Sequence, residues 1–263
     1  MNKRVSNTRF LGTTYFTLAY TYGHSIDFAS GFRQRNSRVP YYNGKQFLAN
    51  SDFDLRHRVS FSGGWDLPLD RAWSSGPHAL LKGWSLYPIV TYRTGFPLDV
   101  LAGLSRSRTR PGPSAAGDGN LVRANLVGAS VGILDSKLSQ TFKDLNGKDQ
   151  TGNFWFNPGN FNKTGLSATS TAAVTNPSLR TYGTLPRNFF RGPSRTNFDF
   201  AIAKMTYFRE QVGLEFRAEF FNIFNHAQFN NPDTSTTSET FGQITTVPLD
   251  SQRIIQFALK FVY

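Results

Sequence analysis

The sequence predicts an all-β fold: an antiparallel transmembrane β-barrel segment of about six strands with long extracellular loops. Three observations predict it. Six stretches alternate apolar with polar or small residues at period 2. The connections between them are short or moderate at one end and long at the other. Strong helix formers are sparse, whereas Ser, Thr, Asn and Gly abound. No run of about 18 apolar residues occurs, so no helix is long and apolar enough to cross a membrane. Barrel strands alternate, so a mean hydropathy of -0.37 is compatible with a membrane sheet. Aromatic residues reach 15% with 25 Phe, against 17% charged residues.

The strands follow in order. In residues 10–22 one face reads Phe10, Thr14, Phe16, Leu18, Tyr20, Tyr22, and the other Thr13, Tyr15, Thr17, Ala19, Thr21. In 57–67, Val59, Phe61, Trp65 and Leu67 oppose Arg58, Ser60, Ser62 and Asp66. In 83–100, Trp84, Leu86, Val90 and Tyr92 oppose Ser85, Thr91 and Arg93, and Pro88 predicts a bulge or a lost ladder bond. In 196–207, Phe198, Phe200 and Ile202 oppose Asp199, Ala201 and Ala203, and the parity breaks at Lys204, predicting a strand end or bulge there. In 213–224, Leu214, Phe216, Ala218 and Phe220 oppose Glu215, Arg217 and Glu219. In 251–263 the apolar face is Ile255, Phe257, Leu259, Phe261 and Tyr263, with Lys260 among the residues between.

A tight turn near 209–212 and a moderate link at 68–82 join two of the strand pairs, whereas loops 23–56, 101–195 and 225–250 are long. A connection of about 95 residues is foreign to a compact soluble domain. A half-buried soluble sheet also alternates. The trio Glu215, Arg217 and Glu219 on one face argues for a wet lumen, because a dry core would penalise it. Lys260 on the next strand is the expected partner in a ladder of ion pairs. Trp65, Trp84, Tyr20, Tyr22 and Tyr92 sit near strand ends, where aromatic girdles meet the bilayer interfaces.

Net charge is +12, and residues 104–195 hold twelve Lys/Arg against four Asp and no Glu. The charge lies in irregular segments with no reading helix or stacking platform, which argues against nucleic acid. Arg106, Arg108 and Arg110 form a basic loop suited to the anionic headgroups of lipopolysaccharide. The absence of Cys excludes disulfides, thiolate metal sites and cysteine nucleophiles. No Walker A, G-x-S-x-G or H-E-x-x-H motif is present, and His24, His57, His78 and His226 are isolated. No catalytic, metal or cofactor-binding residue is therefore expected, and the chain does not read as an enzyme. In "DLRH", Asp54 and His57 are expected to make polar bonds at the rim. The aromatics of "WFNPGNF" (155–161) and "RNFFRGP" (187–193) could give the long loop a small core of its own.

Together, "SDFDLRHRVSFSGGWDLP", "GWSLYPIVTYRTGFPLDV", "NLVRANLVG", "WFNPGNF", "YGTLPRNFFRGPSRTNFDFAIAKMTYF" and "LEFRAEFFNIFNHAQFNNP" resemble the C-terminal barrel portion of Oar-like TonB-dependent receptors of Acidobacteria-type bacteria. The resemblance covers nearly all of residues 1–263 and implies a segment of a barrel of about 22 strands, plugged by an N-terminal domain. It implies TonB-powered uptake of an unidentified ligand at the cell outer membrane. It also implies partners: the N-terminal plug and barrel part, the TonB complex reached through that part, the barrel assembly machinery and outer-membrane lipid. The sequence has no apolar signal segment and no plug, so it is expected to be a partial barrel. Lumen-facing charges are expected at Asp199, Glu215, Arg217, Glu219 and Lys260, and the final apolar face, Ile255 to Tyr263, resembles the C-terminal signal read by the assembly machinery. A surface-exposed structural or adhesive barrel module, or a soluble β-sandwich binding protein, are the alternatives.

Overall fold

The computed structural model describes residues 2–4, 12–28, 30, 48–102, 123–162, 183–209 and 212–263. One antiparallel sheet dominates. Its strands are β1 (Asn2–Arg4), β2 (Thr13–Tyr22), β3 (His57–Leu67), β4 (Trp84–Arg93), β5 (Arg195–Tyr207), β6 (Gly213–Phe221) and β7 (Ile254–Val262). Each pairs with its predecessor, so sheet order is chain order, and among the described residues β1 and β7 are open edges. Six long strands occupy the six alternating stretches; the three-residue β1 adds a seventh that alternation did not mark.

Register joins the six apolar faces into one. Leu18 stands opposite Phe61, Phe61 opposite Val90, and Val90 opposite Phe198. Ile202 then faces Ala218, which faces Phe257, while Phe216 faces Leu259. Because the side-chain period is 2, a one-residue slip at any pair would have moved a whole strand's apolar set to the other face. This surface stays open: Phe257 and Leu259 are each 67% exposed. In the long strands only Ala201, Ala203 and Ala218 are buried apolar residues. Trp65 and Trp84 lie on this face towards the turn end, and Tyr20, Tyr22 and Tyr92 towards the loop end, forming two aromatic bands.

Several boundaries differ from the sequence expectation for physical reasons. The third strand was expected to reach residue 100 but ends at Arg93. Beyond it, Gly95 passes so close to Gly192 that a Cβ would sit 1.8 Å from the Gly192 carbonyl oxygen, and Pro97–Leu98 pair instead with Phe190–Arg191. The fifth ends at Phe221 because Asn222 turns to φ 49. The sixth begins at Ile254, after a single 3-10 turn at Leu249–Ser251. The first begins at Thr13; residues 10 and 11 lie outside the described residues.

Pro88 pairs normally with Phe200 on its β5 side. On its β3 side the ladder is interrupted opposite Gly63 and Gly64, then resumes in the same register at Trp65–Leu86. Proline thus costs ladder bonds without a bulge. Lys204 does not end β5. It stays in register between Trp84 and Phe216 on the apolar face. Its ammonium reaches out to donate to the carbonyls of Ala79 (2.9 Å) and Lys82 (3.2 Å), and lies 5.3 Å from the Trp84 ring. A long aliphatic stem lets the charge leave an apolar surface and meet the carbonyl end of a short helix, here His78–Leu81.

At the other end, the described parts of the long loops form a packed cap. Phe156 is fully buried and meets Phe161, Phe190 and Phe241 edge-to-face at 5.3, 5.3 and 5.2 Å. Val100, Ala124, Val131 and Leu185 complete this core. The two motifs interlock: Trp155 Nε1 donates to the Arg191 carbonyl at 2.9 Å. Asn157 accepts from Gly159 N at 2.9 Å, setting the turn that returns Phe161 to the core. The largest dry core thus lies outside the sheet.

Candidate functional site

Two ionic clusters fasten the cap to the strand ends. The Asp54 side chain is fully buried. It accepts from Ser25 N at 2.8 Å, from Arg56 Nε at 3.1 Å and from Arg191 Nη2, with His24 Nδ1 at 3.5 Å. Arg191 Nη1 also donates to the carbonyls of Asp54 (2.8 Å) and Gly95 (3.0 Å). In the second cluster Arg187 donates through Nη2 to the Asp27 carboxylate and to its carbonyl at 2.8 Å, and through Nη1 to Asp52 Oδ1 at 3.3 Å. Asn188 Nδ2 bonds the Asn50 carbonyl (2.7 Å) and Asp52 Oδ1 (2.6 Å). Arg187, Asn188, Phe190 and Arg191 of "RNFFRGP" therefore all tie one loop to another. Arg123 Nε adds a pair with Asp99 at 2.6 Å.

Burial pushes the Asp27 and Asp54 carboxyls up, but hydrogen bonds outweigh it. Ser51, Ser30 and Arg187 hold Asp27, and Ser25 N, Arg56 and Arg191 hold Asp54, below the usual 3.8. The sign follows: a depressed folded pKa contributes stability above the unfolded value, lost as pH falls through the folded one. The cap attachment is expected to be intact at about pH 5 and to loosen below about pH 4. Pepsin cleavage within 183–195 measured against pH checks this; cleavage equal at both ends of that range contradicts it.

Asp199, Glu215, Arg217, Glu219 and Lys260 share the polar face of the sheet. Asp199 Oδ1 accepts from Asn197 Nδ2 (2.8 Å) and Asn222 N (2.9 Å), which ties β5 to the end of β6. Glu215 stands opposite Lys260 in register, but they form no ion pair among the described residues. The ladder reduces to one contact within β6, Arg217 Nε to Glu219 Oε1 at 2.7 Å, two residues along the same face. The Arg217 N–H is not aligned for a hydrogen bond, so charge holds this pair, and the guanidinium lies 5.5 Å from the Tyr87 ring.

At the loop end of this face the structure adds a group that alternation alone did not single out. Arg58 stands opposite Arg93, and Arg93 opposite Arg195. They line a cavity of about 680 Å³ with Asn197, Asp199 and Gln228. Arg58 and Arg93 were legible as polar-face residues, but their alignment with Arg195, which fell one residue before the expected strand, depends on register.

His57 Nδ1 pairs with the Tyr20 hydroxyl at 2.9 Å rather than with Asp54; His24 is the histidine beside that carboxylate. His226 Nδ1 lies 3.3 Å from Gln228 Nε2, and His78 starts the short helix named above. No group of three metal-binding side chains occurs among the described residues. Arg106, Arg108 and Arg110 lie outside the described residues.

A sequentially ordered antiparallel sheet with an exposed apolar face, two aromatic bands and long structured loops at one end defines a membrane β-barrel sheet. The chain belongs to the outer membrane beta barrel domain family, whose model matches residues 4–256. Its location is the outer membrane. Neither the curated proteins nor the solved structures contain a match.

Proposed function

We propose that the chain is the C-terminal part of a TonB-dependent, Oar-like outer-membrane receptor that captures a ligand with its extracellular loops and passes it through a plugged lumen. The observation that carries this reading is the cap. Its loops hold a buried four-phenylalanine core and two ionic clusters, and they stand beside a polar cavity on the sheet. Preformed loops lower the ordering cost of binding. In this reading the polar face, with Asp199, Glu215, Arg217, Glu219 and Lys260, lines the lumen or meets the plug. The apolar face, through Ile255, Phe257, Leu259, Phe261 and Tyr263, meets lipid and the barrel assembly machinery. The TonB complex acts through the plug, and the basic loop at 106–110 contacts lipopolysaccharide.

The coding sequence upstream of Met1 tests the proposal. A plug domain and a signal peptide read in the same frame are expected. A stop codon directly ahead of Met1 in an intact transcript overturns it and leaves a surface barrel module without transport.

A further inference from the structure

We infer that the loop-end cavity of the polar face binds a soluble multivalent oxyanion, a ligand bearing at least two phosphate or carboxylate groups. The inference deepens the receptor reading by naming a ligand class, and rests on it only for biological meaning.

Arg58, Arg93 and Arg195 occupy directly opposed positions on three successive strands. Neighbouring strands lie about 4.8 Å apart, so three guanidinium groups are held side by side across about 10 Å. Like charges directly opposite each other destabilise a sheet, so the arrangement needs a compensating anion or a functional reason. Among the described residues no carboxylate pairs with any of the three. Arg195 Nη2 donates to Asn230 Oδ1 at 3.3 Å, and the Arg93 guanidinium lies 4.7 Å from the Phe96 ring centre. The contrast with Arg56, Arg123, Arg187, Arg191 and Arg217, each matched to a carboxylate, is internal to the molecule. Asp199 is the acid of the cavity, and its Oδ1 is taken by Asn197 and Asn222. Among its described lining residues the cavity therefore offers three cations against one carboxylate, with Asn197 and Gln228 as neutral polar groups.

A volume of about 680 Å³ falls in the range of ordinary small-molecule sites. Guanidinium forks suit planar carboxylate and phosphate oxygens, and several forks side by side favour polyanions over monoanions. The cavity opens on the polar face, so a soluble anion fits it better than a lipid headgroup approaching from the apolar side.

The test uses the full-length protein purified from outer membranes in detergent. Thermal midpoints and calorimetric binding are measured with sodium tripolyphosphate, citrate, acetate and lipopolysaccharide micelles, at matched ionic strength. Tripolyphosphate or citrate is expected to raise the midpoint and acetate is not, and the shift should shrink with added NaCl. Arg93→Gln is expected to weaken binding about tenfold or more. Arg58→Gln should act similarly, and Arg217→Gln, already paired to Glu219, should leave binding unchanged. Without ligand, Arg93→Gln should melt no lower than the parent protein, because it relieves repulsion, whereas a purely structural arginine would lower it. A response to lipopolysaccharide alone, an equal response to acetate, or parental affinity in Arg93→Gln overturns the inference. The upstream reading frame plays no part in this experiment, so failure of the receptor reading and failure of the anion site are separately visible.

Discussion

Replacing Phe156 with Ala is expected to open the loop-end cap and leave the barrel sheet in place. Phe156 is fully exposed to no solvent and touches three other buried or nearly buried rings edge-to-face. Truncating such a residue removes its transfer energy and leaves a cavity that rigid neighbours fill poorly, a cost of about 3–5 kcal/mol. Phe156 sits at the centre of the cap's cluster, touching Phe161, Phe190 and Phe241, so its loss loosens the packing of the other rings as well. Hydrogen exchange at residues 154–161, or protease cleavage there in the purified protein, should rise steeply. Outer-membrane abundance should stay near parental, because none of the six long strands contributes a ring to this cluster. Unchanged exchange in the cap, or loss of the membrane-inserted protein, contradicts the account.

Asp54→Asn is expected to have the second large effect. The substitution keeps the shape and the acceptor for Ser25 N but leaves Arg191 and Arg56 facing a neutral amide at a fully buried position. Breaking a buried pair by removing one partner costs about 3–5 kcal/mol; Arg191 is partly exposed and can recover some hydration, so about 2–3 kcal/mol is expected here. The matched control is Asp52→Asn. Its side chain is 59% exposed, so removing its charge should cost under about 1 kcal/mol. Protease cleavage at 183–195 should therefore increase strongly in the first variant and little in the second. Equal behaviour of the two would show that burial of Asp54 does not set the strength of the attachment.

Period-2 alternation made the strands and their two faces readable, because each residue reports its own side of the pleat. It also placed Glu215, Arg217 and Glu219 on one face and Phe257 and Leu259 on the other. Register was not readable, since it is a relation between strands. That is why Lys204 looked like a break when it is a snorkelling side chain within an unbroken strand, and why the row Arg58–Arg93–Arg195 was invisible. The aromatics of the two loop motifs announced a local core, whereas the partners of that core did not. Arg187 meets Asp27 across 160 residues, and no local pattern encodes a contact of that separation. Gly95 ended its strand early through a backbone approach to Gly192 that only the fold brings about.

The provenance of the Phe156 cluster fixes an order of events. Its members come from both sides of β5 and β6 along the chain: Leu98, Val100, Phe156, Phe161 and Phe190 precede or adjoin β5, and Phe241 follows β6. The cluster can therefore close only after the β5–β6 hairpin is in position and the segment before β7 has returned to the same rim. Such late, long-range closure makes the assembly of this surface slow relative to the pairing of neighbouring strands. Until it closes, a newly formed sheet would present unpacked phenylalanines at its loop end, so the maturation of that rim is expected to trail the pairing of its strands.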